Sequence, residues 1–276
     1  MQLQISIGFV CALAIAFAAY RARALNRSGA LAAVLLGTIV FGLGGLAAAV
    51  LLVAFFVTSS GLSRLFGRRK RALDEKFSKG SQRDAAQVMA NGGAAGLFLL
   101  LGFAFPAAAW PFIAAAASLA AANADTWATE LGVLNPARPI LITTGKPVEP
   151  GTSGGVSLAG TLAAGAGSAL IALLAVLLPN LGQRPALAPA WAFFIVLAAA
   201  GLAGSLVDSL LGATLQAIYR CPACAKETER HPLHTCGAPT TPLRGLPWLD
   251  NDLVNALCTF SAAGLAVLFS FLLHLI

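Results

Sequence analysis

The chain has 276 residues, 58% of them apolar and 11% charged, with a formal net charge of +7 and a mean hydropathy of +0.81. Soluble globular domains carry about 25% charged residues, so this composition excludes a water-soluble domain and specifies a polytopic membrane protein. The basic excess lies largely in one loop, where topogenic signalling and attraction to anionic lipid account for it; nucleic acid is not an expected partner.

Apolar windows run over Leu3–Tyr20, Gly29–Val57, Ala85–Phe105, Ala107–Ala122, Val156–Leu178, Ala190–Leu211 and Leu253–Ile276. A membrane-spanning helix needs about 20 residues, which makes seven spans. The first window has no basic segment before it and no clear A-x-A cleavage signal before Arg21, so it reads as a retained helix rather than a signal peptide. The second is unusually long and is interrupted by GLGG at Gly42–Gly45, a breaker cluster able to close a hairpin between two short helices. Arg21, Arg23 and Arg27 flank this window on one side; Arg64, Arg68, Arg69, Lys70, Arg71, Lys76, Lys79 and Arg83 crowd the loop on the other. Basic loops face the cytoplasm. If both do, the window is a hairpin and the chain has eight spans with both ends outside; if it is one tilted helix, the smaller basic loop lies outside. The eight-span arrangement is preferred. Either way the expectation is an all-α, polytopic transmembrane bundle of seven or eight spans forming a single domain over residues 1–276. Its polar motifs gather on the cytoplasmic face of a bacterial inner membrane.

The polar stretches Lys79–Gly93, Asn123–Ser157, Asp208–Gln216 with the loop after it, and Asp250–Asn255 all fall on the basic side. The opposite loops, Phe105–Pro111 and Pro179–Pro189, carry one charge, Arg184. This one-sidedness argues for a site on one face and against a path crossing the membrane. Asp125 and Glu130 follow directly on an apolar window. A charge at the membrane centre costs roughly 2.5–3.5 kcal/mol on insertion scales, so such acids face a polar cavity, an ion or one another. Residues four apart share a helix face, and that interval links Arg83, Gln87 and Asn91. It also links Thr126 with Glu130, and Gly204, Asp208, Gly212 and Gln216. For the amides and Thr126 singly, interhelical hydrogen bonding is an equal reading; three acids exceed what packing needs. At the opening of the last helix, Asp250, Asn251, Asp252 and Asn255 exceed the single residue that an N-cap requires, and Asp250, Asp252 and Asn255 join Asp125, Glu130 and Asp208 as candidate oxygen ligands for Mg²⁺.

Between the fourth and fifth windows runs a glycine-rich loop containing Thr144, Gly145, Lys146, Gly151, Thr152, Ser153, Gly154, Gly155 and Ser157. Glycine backbone N–H groups and a following helix N-terminus favour phosphate. No Walker A sequence is present, and on spacing alone a plain connecting loop is an equal reading. The loop at 219–250 is rich in Cys and His. Cys221, Cys224 and Cys236 with His234 make a plausible closed zinc site, which would staple the loop rather than catalyse; redox chemistry and no metal are the alternatives. Cys11 and Cys258 read as small buried hydrophobes.

Seven blocks in order, SGALAAVLLGTIVFGLGG, FFVTSSGLSR, KGSQRDAAQVMANGG, ADTWATELG, ITTGKPVEPGTSGGVSLAG, GSLVDSLLGATLQ and WLDNDLVN, cover the chain from about Ser28 to Asn255. This set resembles the membrane family that includes transmembrane protein 19 and plant phytyl-phosphate kinase. The resemblance implies a multi-pass membrane protein and, from the plant members, phosphoryl transfer from a nucleoside triphosphate to a prenyl monophosphate. Residue by residue it falls on Arg83, Asp84, Gln87 and Asn91, then Asp125, Thr126 and Glu130, then the glycine-rich loop. After these come Asp208 with Gln216, and Asp250 to Asn255. The Cys-rich insert departs from it, so zinc is not expected in the shared chemistry.

The leading expectation is therefore a kinase using CTP or ATP on a prenyl (phytyl-like) monophosphate. Gly151–Gly155 would seat the donor phosphates, Lys146 and Arg83 would neutralise charge, and the carboxylates would hold Mg²⁺. The alternatives are CTP-dependent nucleotidyl transfer to a lipid phosphate, a membrane carrier, or a scaffold.

Overall fold

The computed structural model describes residues 2–70, 82–135, 137–178 and 189–276. Of the basic residues named above, Arg71, Lys76, Lys79 and Arg184 lie outside the described residues. Seven helices follow in order: α1 Gln2–Arg21, α2 Arg27–Lys70, α3 Ala85–Ala104, α4 Trp110–Gly132, α5 Leu158–Leu177, α6 Ala190–Thr214 and α7 Asn251–Leu272. All but α4 are long and apolar enough to cross a membrane.

The Gly29–Val57 window lies within α2, which turns back on itself at Gly45, where φ is 67° and ψ is −164°. Neighbours on either side of that residue fix the geometry. Gly37 abuts Ala12, Gly42 abuts Ile5, and the Gln4 side chain donates to the Phe41 carbonyl at 3.2 Å, so residues 27–44 run antiparallel to α1. Residues 46–70 then return: Phe56 packs against Ala19, Ala24 and Leu25, and the Arg64 guanidinium donates to the Ala22 carbonyl. The GLGG cluster thus closes a hairpin, and the described residues form eight helical legs. The conformation at Gly45 is one that residues with a Cβ avoid, although only the Gln4 amide lies near a Cβ built there. Gly45→Ala is therefore expected to cost about 1–3 kcal/mol through backbone strain alone, measurable as a lowered melting temperature in detergent.

α4 is the central helix. Every residue from Pro111 to Ala124 is buried, and α2, α3, α5, α6 and α7 all pack on it. Its alanine runs explain both facts, because small side chains let neighbouring backbones approach closely. Gly167 of α5 and Gly201 of α6 sit against Asn123, Trp127 and Ala120 with no room for a Cβ. The helix also runs past the Ala107–Ala122 window, so Asp125 and Glu130 lie within it rather than after it. Asn123, fully buried, receives a bond from the Thr58 hydroxyl at 3.0 Å and donates to the Gly167 carbonyl at 2.8 Å, tying α2, α4 and α5 together. Asn123→Ala is expected to cost about 2–3 kcal/mol by leaving those buried partners unsatisfied, again read by thermal unfolding.

Five short strands modify the all-α expectation. β1 Ile140–Leu141 pairs with β2 Gly155–Val156, while β3 Ile218–Cys221, β4 Lys226–Thr228 and β5 Thr241–Arg244 form a sheet of order β4-β3-β5. Both sheets belong to polar loops at the bundle end that also carries Arg21, Arg27, Arg64 and Arg83. Of the two helix cysteines, Cys258 is buried and Cys11 is exposed on α1.

Candidate functional site

A cavity of about 300 Å³ opens at this polar end. α3 reaches it through Arg83, Gln87 and Asn91. Arg83 is pinned before the helix starts: its N–H donates to the Ala24 carbonyl and its carbonyl accepts from Asn26, both at 3.0 Å. Its guanidinium lies over the rings of Phe55 and Phe56, 5.6 and 5.9 Å from their centroids, a favourable cation–π geometry. Burial draws its pKa below the usual value, and the charge of Glu130 opposes that shift. Gln87 has a local task as well. With Asp84 it makes a capping box, the Asp84 carboxylate accepting from the Gln87 N–H at 2.9 Å and the Gln87 side chain accepting from the Asp84 N–H at 3.2 Å, an arrangement that fixes the start of α3. One turn on, the Asn91 side chain donates to the Gln87 carbonyl at 2.9 Å.

The end of α4 contributes Asp125, Thr126 and Glu130. Ser63, from the returning leg of α2, donates its hydroxyl to Glu130 at 2.8 Å. Asp208 and Ser205 enter from α6, and the buried Oδ2 of Asp208 has no hydrogen-bond partner among the described residues. Buried carboxylate oxygens are normally satisfied by a donor, a proton or a cation, and none of the described groups donates to this atom. Asn251 and Asn255 line the cavity from α7, whereas Asp250 and Asp252 are not part of its lining. Asp250 instead caps α7, accepting from the Leu253 N–H at 3.0 Å.

The glycine-rich loop divides. Gly151, Thr152, Ser153, Gly154 and Gly155 line the cavity. Thr144, Gly145 and Lys146 form an exposed turn outside it, so the structure does not bring Lys146 to the carboxylates. Gly154 has φ +84° and presses on Ala213 of α6, with no space for a Cβ. Ser157 caps α5, accepting from the Gly160 N–H at 3.1 Å, which sets the positive end of that helix dipole beside the loop.

Glu229 escaped sequence reasoning. It lines the cavity although it belongs to the Cys-rich insert, and its Oε1 accepts from Ser153 at 3.1 Å and from Gln216 at 2.9 Å. No spacing pattern connects it to α4 or α6. Ser205 could have been noticed as the residue three before Asp208, on the same helical face.

In the insert itself, one ligand atom from each of Cys221, Cys224, His234 and Cys236 lies within 4.8 Å of the others, and no other group of three or more His, Cys, Asp or Glu does so among the described residues. The set is compatible with a structural zinc. The His234 imidazole draws the Cys236 thiol down to about 6, while the hydrogen bond to Cys236 pushes the Cys224 thiol up to about 11. His231 is not part of the set; it stacks on Tyr219 with centroids 4.4 Å apart. The cavity carboxylates are more dispersed, so any ion held there would take few protein ligands.

A second cleft, about 630 Å³, lies between α1, α2 and α3 and is walled by apolar residues such as Ala16, Leu36, Val53 and Phe55. Arg83, Gln87 and Asn91 line both spaces. A polar cavity therefore abuts an apolar cleft across three side chains.

Residues 10–263 match the family model described as integral membrane protein DUF92. Protein PGR of Arabidopsis thaliana is 35% identical over 272 residues, 92% of each chain. An uncharacterized membrane protein of Methanocaldococcus jannaschii is 35% identical over 221 residues, 78% of this chain and 84% of its own. An uncharacterized membrane protein of Synechocystis is 29% identical over 235 residues, 84% and 77% of the two chains. No solved structure matches.

Proposed function

This chain belongs to the DUF92 family of integral membrane proteins, and we propose that it is a membrane kinase that transfers a phosphoryl group from a nucleoside triphosphate to a prenyl monophosphate. The observation that carries this reading is the junction at Arg83, Gln87 and Asn91, where the polar cavity meets the apolar cleft. An acceptor with an ionised head and a long apolar tail needs that pairing. Its chain would lie between α1, α2 and α3, and its phosphate would meet the Arg83 guanidinium. The placement of Arg21, Arg27, Arg64 and Arg83 at the cavity end supports a cytoplasmic orientation, which gives a cytoplasmic nucleotide access.

The cavity is at the small end of the range for ligand sites and suits phosphates rather than a base and ribose. The donor's phosphates would lie along Gly151–Gly155 beside the N-terminus of α5. An oxygen of the acceptor phosphate forms the new bond to the γ-phosphorus as the bond to the bridging oxygen breaks, releasing nucleoside diphosphate. The acceptor is already ionised, so no strong general base is required; positioning and charge neutralisation supply the acceleration. Some of Asp125, Asp208 and Glu130 would hold Mg²⁺, which binds through one or two carboxylates plus substrate phosphates and would neutralise charge on the transferred group.

The test is incubation of the detergent-solubilised protein with Mg²⁺, labelled CTP or ATP, and a panel of prenyl monophosphates, with lipid products read by mass. The expected product is a prenyl diphosphate accompanied by nucleoside diphosphate. A nucleotidyl lipid with pyrophosphate would replace kinase chemistry by nucleotidyl transfer, and absence of any lipid product from folded protein would refute both.

A further inference from the structure

We propose that Cys221, Cys224, His234 and Cys236 bind one Zn²⁺, and that this ion holds Glu229 and Arg244 against the glycine-rich loop, so that metal binding assembles one wall of the polar cavity. The inference concerns how the wall is built and holds whatever reaction takes place there.

The ligand geometry supports the ion. Zn–S bonds of about 2.3 Å and Zn–N bonds of about 2.0–2.1 Å in a tetrahedral site imply S···S edges near 3.8 Å and S···N edges near 3.6 Å. Cys221 and Cys236 sulfurs are 3.6 Å apart, and His234 Nδ1 lies 3.7 Å from the Cys224 sulfur and 3.2 Å from that of Cys236. A disulfide would bring two sulfurs to about 2.05 Å, well inside these separations. Three thiolates and an imidazole form a closed ligand set with no position left for chemistry.

The insert also needs a staple. Residues 215–250 carry three short strands and little apolar core, and below about 40 residues a unit of this kind usually relies on a metal or disulfide. Glu229 sits between Cys224 and His234, in the segment that the ion would close. From there its carboxylate reaches Ser153 and Gln216 at 3.1 and 2.9 Å. On β5, the Arg244 guanidinium donates to the Gly212 carbonyl at 2.7 Å and to the Ser153 carbonyl at 3.2 Å, bridging the end of α6 to the loop. The contacts to Ser153 and Gly212 cross from the insert to the cavity wall, and Gln216 itself lines the cavity. Glu229 and Arg244 are thus positioning residues, acting through Ser153 and the end of α6.

The experiment uses the full-length protein in detergent and needs no turnover. Metal analysis after expression in zinc-supplemented medium is expected to find one zinc per chain, lost in the Cys224→Ser, Cys236→Ser double variant, and cobalt replacement should give the visible spectrum of a tetrahedral thiolate site. Removing zinc with a chelator is expected to speed amide hydrogen exchange in residues 151–157 and 211–216 by about tenfold or more, as loss of a hydrogen bond to a charged group implies. Glu229→Ala should keep the cobalt spectrum yet speed exchange at 151–157, and Glu229→Gln, which still offers an acceptor oxygen to Ser153 and Gln216, should restore much of the protection. Protein without stoichiometric zinc would overturn the site. Exchange at 151–157 unchanged by zinc removal, or by Glu229→Ala, would overturn the link to the cavity wall.

Discussion

Changing Asp125 to Asn is expected to lower phosphoryl transfer by at least about 10²-fold, the loss typical when one charge-stabilising group is taken from a preorganised site. The variant should still fold. Asn has nearly the same shape, and Asp125 sits on a helix held in place by a preceding stretch that is buried on every side. What changes is charge in the cavity that Asp125 lines together with Asp208 and the loop that would carry the donor phosphates. The measurement is the initial rate of prenyl diphosphate formation, with elution volume and melting temperature matched to the parent. Asp250→Asn is the control: Asn caps a helix about as well as Asp, Asp250 lies outside the cavity lining, and turnover should stay within about twofold, since surface changes of this kind usually fall within about 0.5 kcal/mol. Equal loss in both variants would assign the effect to general acidity of this end of the bundle rather than to the cavity.

The second large effect is expected at Gly154. A Cβ there meets the backbone and side chain of Ala213, and the residue also has φ +84°. Gly154→Ala therefore combines backbone strain of about 1–3 kcal/mol with a contact that must open by moving the loop off α6. Because a misplacement of about 1 Å can cost about 10²-fold in rate, turnover should fall by that order, and affinity for the nucleotide should fall with it. Gly145→Ala provides the comparison. Gly145 also has positive φ, +67°, but a Cβ there meets nothing within 4 Å and the residue lies in the exposed turn; strain is the only expected consequence. A Gly154→Ala variant with unchanged nucleotide affinity would separate the loop from phosphate binding.

Much of this architecture was legible in the chain because the bilayer enforces it. Long apolar windows mark helices, since a backbone in hydrocarbon must satisfy its own hydrogen bonds, and the GLGG cluster disclosed the hairpin because only glycine takes the conformation found at Gly45. Of the residues linked by a four-residue spacing, Gln87 and Asn91 share a face of α3 while Arg83 precedes the helix, and all three reach the cavity. Spacing along one helix carried that information. It could not carry the rest.

Composition and periodicity determined a multi-pass helical membrane protein with its polar residues at one end, because hydrophobic burial and backbone satisfaction act locally along each segment. The tertiary structure alone decided which polar residues meet. It admitted Asn255 to the cavity and left Asp250 as a cap, kept Gly154 and excluded Lys146, and brought Ser63 and Glu229 from distant segments to Glu130 and Ser153. Those choices depend on how α4, with its alanine faces, lets the other helices close around it, and on how a Cys- and His-bearing insert folds back over α6. Both are contacts between segments far apart in the chain, with no periodic signature in either segment by itself.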